Sequence, residues 1–218
     1  MGAKTWMLVS SEGNARELLA AKPPLDREAS VALARRLFPT TKFTEGKDGS
    51  ISYTNPPDNE IFVGHFGAVA VVAAAEFGID YPSQLPKHFL ENMPHPFVVL
   101  HAMHSVVDWF AFAVWEKGNL KRALSLSPDS GIMEDIGEHY AFEGPYWNGE
   151  HGVADEDDDE DEDEDEEEEE EDKYPFVFHP LDLAEEALAA FFGYVIEGAL
   201  SNQLYDPEEV PLMTLKRK

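Results

Sequence analysis

Eighteen consecutive acidic residues run from Asp155 to Asp172. A block of like charge this long repels itself and carries no apolar side chain to bury, so no part of it can enter a core. The chain resumes with Tyr174, Pro175, Phe176, Val177 and Phe178 and then an apolar pattern at helical spacing. The tract is therefore expected to be a solvated, disordered low-complexity loop over 154–172 inside a fold, and not a tail. The apolar segment after it must dock back, so residues 1–153 and 173–218 are expected to form one domain. Without the tract 200 residues remain, a usual length for a single core.

The formal charge of −28 is not confined to the tract, because the remainder still holds 26 acidic residues against 16 basic ones. Nucleic-acid phosphate and anionic lipid repel such a polyanion, and no run of basic residues offsets this. The expected partner is a basic protein or peptide, with no nucleic acid and no membrane. The lack of cysteine excludes a disulfide framework, a thiol nucleophile and any Cys-ligated metal. Trp6 to Val9 is too short for a signal-peptide core. Ile61 to Ala75, the longest apolar stretch, is interrupted by His65 and falls short of a spanning helix. A cytoplasmic protein is expected; nothing in the sequence sets its oligomeric state.

Periodicity gives a first strand over Lys4 to Ser10 and a short helix over Asn14 to Ala21, stopped by Pro23 and Pro24. Asp26 is placed to cap a helix carrying Ala29, Leu33, Arg36 and Leu37. Lys42 to Tyr53 reads as a polar hairpin turning at Asp48 and Gly49. Ile61 to Phe66 and Val69 to Phe77 read as two strands about Gly67. Ser83 is expected to cap a helix reaching Met93, ended by Pro94 and Pro96, before a strand over Phe97 to His104. From Asp108 to Trp115 both parities are apolar, as in a strand covered on both faces. Gly118 and Asn119 then turn into Leu120 to Ser127, which alternates like a half-exposed partner. After the tract, Asp182 and Glu185 suggest a capping box for a helix through Leu183, Leu188, Phe191, Phe192 and Val195, ended by Gly198. Hairpins mixed with helices in no strict alternation predict an α+β fold, a largely antiparallel sheet with flanking helices.

Several blocks together carry a resemblance: MGAKT at the start, PLDREA at 24–29, HAMHSVVDWFAFAVW at 101–115, LSLSPDSGIMEDIGE at 124–138, FEGPYWNGEH at 142–151 and YPFVFHPLDL at 174–183. The chain resembles an uncharacterised bacterial family, through most of its length except the acidic tract. That resemblance implies a bacterial, cytoplasmic protein and brings no activity, cofactor or catalytic residue with it.

Candidate site residues come from four places. His101, His104 and Asp108 stand at i, i+3 and i+7, which on a helix would gather an open metal site. On a strand His101 and His104 point to opposite faces, so hydrogen-bonded structural histidines are the preferred reading. Asp129 lies in Ser127, Pro128, Asp129, Ser130, Gly131, a succession that suits a turn better than a nucleophile. Glu134, Asp135, Glu138 and Glu143 offer paired carboxylates, and Tyr146 with Trp147 a stacking platform. The preferred reading there is an acidic surface loop pinned to the core by its aromatics. Calcium-loop spacing at Asp155, Asp157 and Asp159 fails because Glu160 stands where glycine is needed. No metal, cofactor or catalytic residue is assigned. The expected function is non-enzymatic binding of a macromolecular partner, with the acidic loop giving solubility or capture. The alternative is a hydrolase whose site lies where the 101–108 block meets the 124–151 loops.

Overall fold

Apolar residues on both parities demand cover on both sides of a strand, and the architecture supplies it. The computed structural model describes residues 2–152, 175–197 and 203–218. Its strands are β1 (Lys4–Ser11), β2 (Phe43–Glu45), β3 (Gly49–Ser50), β4 (Glu60–His65), β5 (Val69–Ala73), β6 (Phe97–His104), β7 (Trp109–Glu116), β8 (Asn119–Ser127), β9 (Gly131–Gly137) and β10 (Pro211–Arg217). They form a 10-stranded sheet in the order β2-β10-β4-β5-β1-β6-β7-β8-β9, with β3 also paired to β10. Every ladder between these strands is antiparallel. The fold is α+β, as expected.

The helices are α1 (Ala15–Ala20), α2 (Arg27–Leu37), α3 (Lys87–Asn92), α4 (Gly144–Trp147) and α5 (Pro180–Phe192). They divide between the faces of the sheet. On one face α1, α5 and the aromatic segment 140–147 pack on Met7, Val9, Val71, Val99, Phe110 and Phe112. On the other, α2 and α3 with two 3-10 turns cover Leu8, Val72, Leu100, Ala111 and Trp115. Successive strand residues alternate between two cores, and for that reason β6 and β7 have no polar parity to read.

Local chemistry explains the helix ends. Asp26 caps α2 by accepting from the Ala29 amide at 2.9 Å, and Glu28 in its first turn and Arg35 and Arg36 in its last complement the helix dipole. Asn14 caps α1 in the same way. Gly193 ends α5 at φ 82°, a left-handed conformation that a side chain disfavours, and its N–H bonds back to the Leu188 and Ala189 carbonyls.

Several expectations need correction. Residues 42–53 form no hairpin: β2 and β3 each pair with β10 instead, because the C-terminal strand offers a longer and more buried partner than the two short segments offer each other. Ser83 caps no helix. It sits in a 3-10 turn over Pro82–Gln84, and α3 begins only at Lys87 after Pro86. The second half of β8 is buried on both parities, since the Pro82–Gln84 turn packs on one face and the 140–147 segment covers the other. Helix α5 starts at Pro180 with His179 as its cap, ahead of Asp182, and stops at Gly193. Glu185 turns away from a capping box and accepts from the Ile196 and Glu197 amides at 2.8 and 3.2 Å. Gly198 and the acidic tract lie outside the described residues.

Candidate functional site

Two ring systems join the segments that lead into and out of the acidic tract. On the entering side Tyr146 stacks on His151 with ring centroids 4.3 Å apart, and Trp147 stacks on His139 at 5.1 Å. On the returning side Phe178, fully buried, meets Tyr146 edge-on at 5.6 Å and Trp147 at 5.1 Å. The Tyr146 hydroxyl donates to the Asp182 carbonyl at 3.1 Å, tying this turn to the start of α5. Aromatic pairs of this geometry add to the burial of their area. The described residues on either side of the tract thus share one packed base.

Beneath that base lies an ion pair that no solvent reaches. Arg122 and Glu143 are both fully buried. The guanidinium reaches Glu143 through Nη2 at 2.6 Å and Nε at 3.1 Å, and through Nη1 it meets Asp135 and the Ala123 and Ile136 carbonyls. Burial works against its charge, but hydrogen bonds and attraction from Glu143 and Asp135 prevail and hold its pKa above the ordinary value. Glu143 also accepts from the Tyr140 amide at 2.7 Å. The expected acidic surface loop, pinned by Tyr146 and Trp147, holds for the exposed Asp135 and Glu138 and is corrected for two carboxylates: Glu134 is 8% exposed and held by Ser83, and Glu143 is an interior anchor. The reason is Arg122, 21 residues away in sequence, a partner that no local pattern reveals.

The other candidates scatter. His101 is fully buried on the α5 face, where Nδ1 accepts from the Thr5 hydroxyl at 2.7 Å and Nε2 donates to the Ala184 carbonyl at 3.0 Å. Burial pushes its pKa down to about 4, so the ring is neutral. His104 faces the other way, tilted against Trp6 at 6.1 Å. Asp108 occupies the β6–β7 turn at φ 44°, 3.6 Å from His179. Asp129 is exposed in the β8–β9 turn, where the Ser130 amide donates to the Ser127 hydroxyl. Glu134 accepts from the amide and hydroxyl of Ser83. His104 on β6 and Glu134 on β9 are three strand spacings apart, about 14 Å, and Glu143 is on the opposite face. Only Asp135, Glu143, Tyr146 and Trp147 come together, and they do so as an anchor.

A different end of the sheet holds a feature that local sequence patterns missed. An open cleft of about 850 Å³ runs between the Ser83–Pro96 segment and the β7–β8 turn, with Lys87 and Lys117 in its lining. His95 belongs to its wall, 8% exposed, with Nδ1 at 3.7 Å from Glu12 and Nε2 buried without a hydrogen bond. Burial lowers the His95 pKa against the pull of Glu12. The sequence marked only separate parts of this cleft, a helix reaching Met93 ended by Pro94 and Pro96 and a turn at Gly118 and Asn119.

Among the described residues, no group of three or more histidines and carboxylates is placed to hold a metal ion, and no helix is long and apolar enough to cross a membrane. No curated protein and no solved structure matches the chain. One family model does, over residues 5–214, from the first strand into the last. The chain belongs to DUF6928, a family of unknown function.

Proposed function

We propose that this is a non-enzymatic cytoplasmic binding protein whose domain holds an acidic insertion by both ends and offers it to a basic protein or peptide. The observation that carries this reading is the shared aromatic base: Tyr146 and Trp147 before the tract pack directly on Phe178 after it. Between those anchors the chain carries Glu150 and the eighteen carboxylates of the tract. Tethering both ends near one another confines that charge to a small region and raises the local potential, which favours fast capture of a cationic partner. The hydrolase alternative draws no support from the geometry, because His104, Asp129, Glu134 and Glu143 surround no common pocket and the two buried carboxylates are engaged by Ser83 and Arg122.

The test is titration of the full chain with a fluorescent oligolysine peptide between about 50 and 300 mM salt, across which the Debye length falls through about 10 Å. Binding should weaken steeply with salt and vanish when 155–172 is replaced by a Gly/Ser linker of equal length. Binding that survives the replacement, or that hardly responds to salt, overturns the proposal.

A further inference from the structure

The cleft beside α3 combines an apolar floor with two lysines. Its floor is apolar, made by Leu85, Leu90, Met93, Val98, Trp115 and Leu120, and its volume of about 850 Å³ is that of a small-molecule site. Each wall contributes a lysine: Lys87 from the first turn of α3 and Lys117 from the β7–β8 turn, both exposed. Among the described residues neither lysine is ion-paired, although Glu91 shares the cleft. Two exposed lysines at the rim of an apolar floor suit a ligand that carries an anionic head on an apolar body.

We propose that this cleft binds a free amphipathic carboxylic acid, its carboxylate between Lys87 and Lys117 and its apolar body on the floor formed by Leu90, Met93, Trp115 and Leu120. Charge complementarity selects the head group and the floor selects the tail. A basic ligand would meet the lysines with the wrong sign, and a hydrophilic anion would leave the floor uncovered. The inference stands apart from capture by the acidic tract, and either can fail without the other.

The experiment is calorimetric titration of the full chain with three probes that share a tail, below their micelle concentrations: decanoate, decanol and decyltrimethylammonium. Decanoate should bind saturably at one per chain and decanol roughly tenfold more weakly, as two partly exposed ion pairs allow. Attraction by net charge alone gives the reverse order, with the cation tightest. The double variant Lys87→Gln, Lys117→Gln should bring decanoate down to decanol while leaving decanol unchanged. Leu90→Trp, which fills the cleft, should weaken both. Absence of saturable decanoate binding, a cation bound tightest, or a double variant that binds decanoate as the wild type does would each overturn the proposal.

Discussion

Glu143→Ala is the most telling perturbation of this fold. The substitution removes the carboxylate that faces Nε and Nη2 of Arg122 and leaves the guanidinium, fully buried, with Asp135 and two carbonyls as partners. It also strips the Tyr140 amide of its acceptor. Breaking one side of a buried pair costs about 3–5 kcal/mol because the surviving charge is uncompensated. Asp135 remains and is 38% exposed on its side chain, so the lower end applies, about 3 kcal/mol. For a domain of this size that is a fall in Tm of roughly 6–12 °C. Circular dichroism melts and urea unfolding of the wild type, Glu143→Ala, Arg122→Met and the double variant Arg122→Met, Glu143→Leu supply the comparison. The double variant should recover at least half of the loss, since it removes both charges and fills the site with apolar volume. The base of the acidic insertion rests on this pair, so Glu143→Ala should also speed proteolysis between Tyr140 and His151. A single-variant cost below about 1 kcal/mol, or a double variant no better than the single, would falsify the anchor reading.

Stability should show two opposing pH dependences. Burial depresses His101 to about 4 from an ordinary 6.5, so its contribution is complete above 6.5 and lost as pH falls toward 4. Burial, despite two amide donors, pushes Glu185 up to about 7 from 4.5, so its contribution is complete below 4.5 and lost as pH rises through 7. Each is worth at most about 3 kcal/mol, and between pH 4.5 and 6.5 they offset; Tm measured across pH 4.5–8 should fall more steeply on the acid side in Glu185→Gln than in the wild type, and equal slopes would contradict the assignment. Thr5→Val removes the donor to His101 Nδ1 and should cost about 1–3 kcal/mol in urea unfolding; no loss would mean that the ring finds another partner. Ending the chain at Val210 withdraws the strand that joins β2, β3 and β4 and takes away the buried Leu212, Met213 and Leu215. Those side chains alone represent roughly 5–9 kcal/mol, comparable with a whole domain's stability, so the product should be insoluble or bind hydrophobic dye, and a cooperative melt would refute the placement of β10.

The sequence determined by itself whatever a short window of residues decides. The Asp26 cap, the arrest of α1 before Pro23, the doubly apolar β7 and the strand parity that parts His101 from His104 depend on neighbours within one turn or one strand, and they were legible. So was the α+β class. The tertiary structure decided whatever required a distant partner. Residues 43–50 carry every local sign of a hairpin, yet β10, from the other end of the chain, outcompetes that pairing. Two glycines were available to end α5, and packing against Arg16, Leu204 and Tyr205 surrounds Gly193. Glu143 looked like a surface acid because Arg122 is 21 residues away, and only folding brings the two into one desolvated space where pairing is obligatory. The cleft was invisible for the same reason: Lys87 and Lys117 stand on separate elements, and no local rule brings a helix and a strand turn together around an apolar floor.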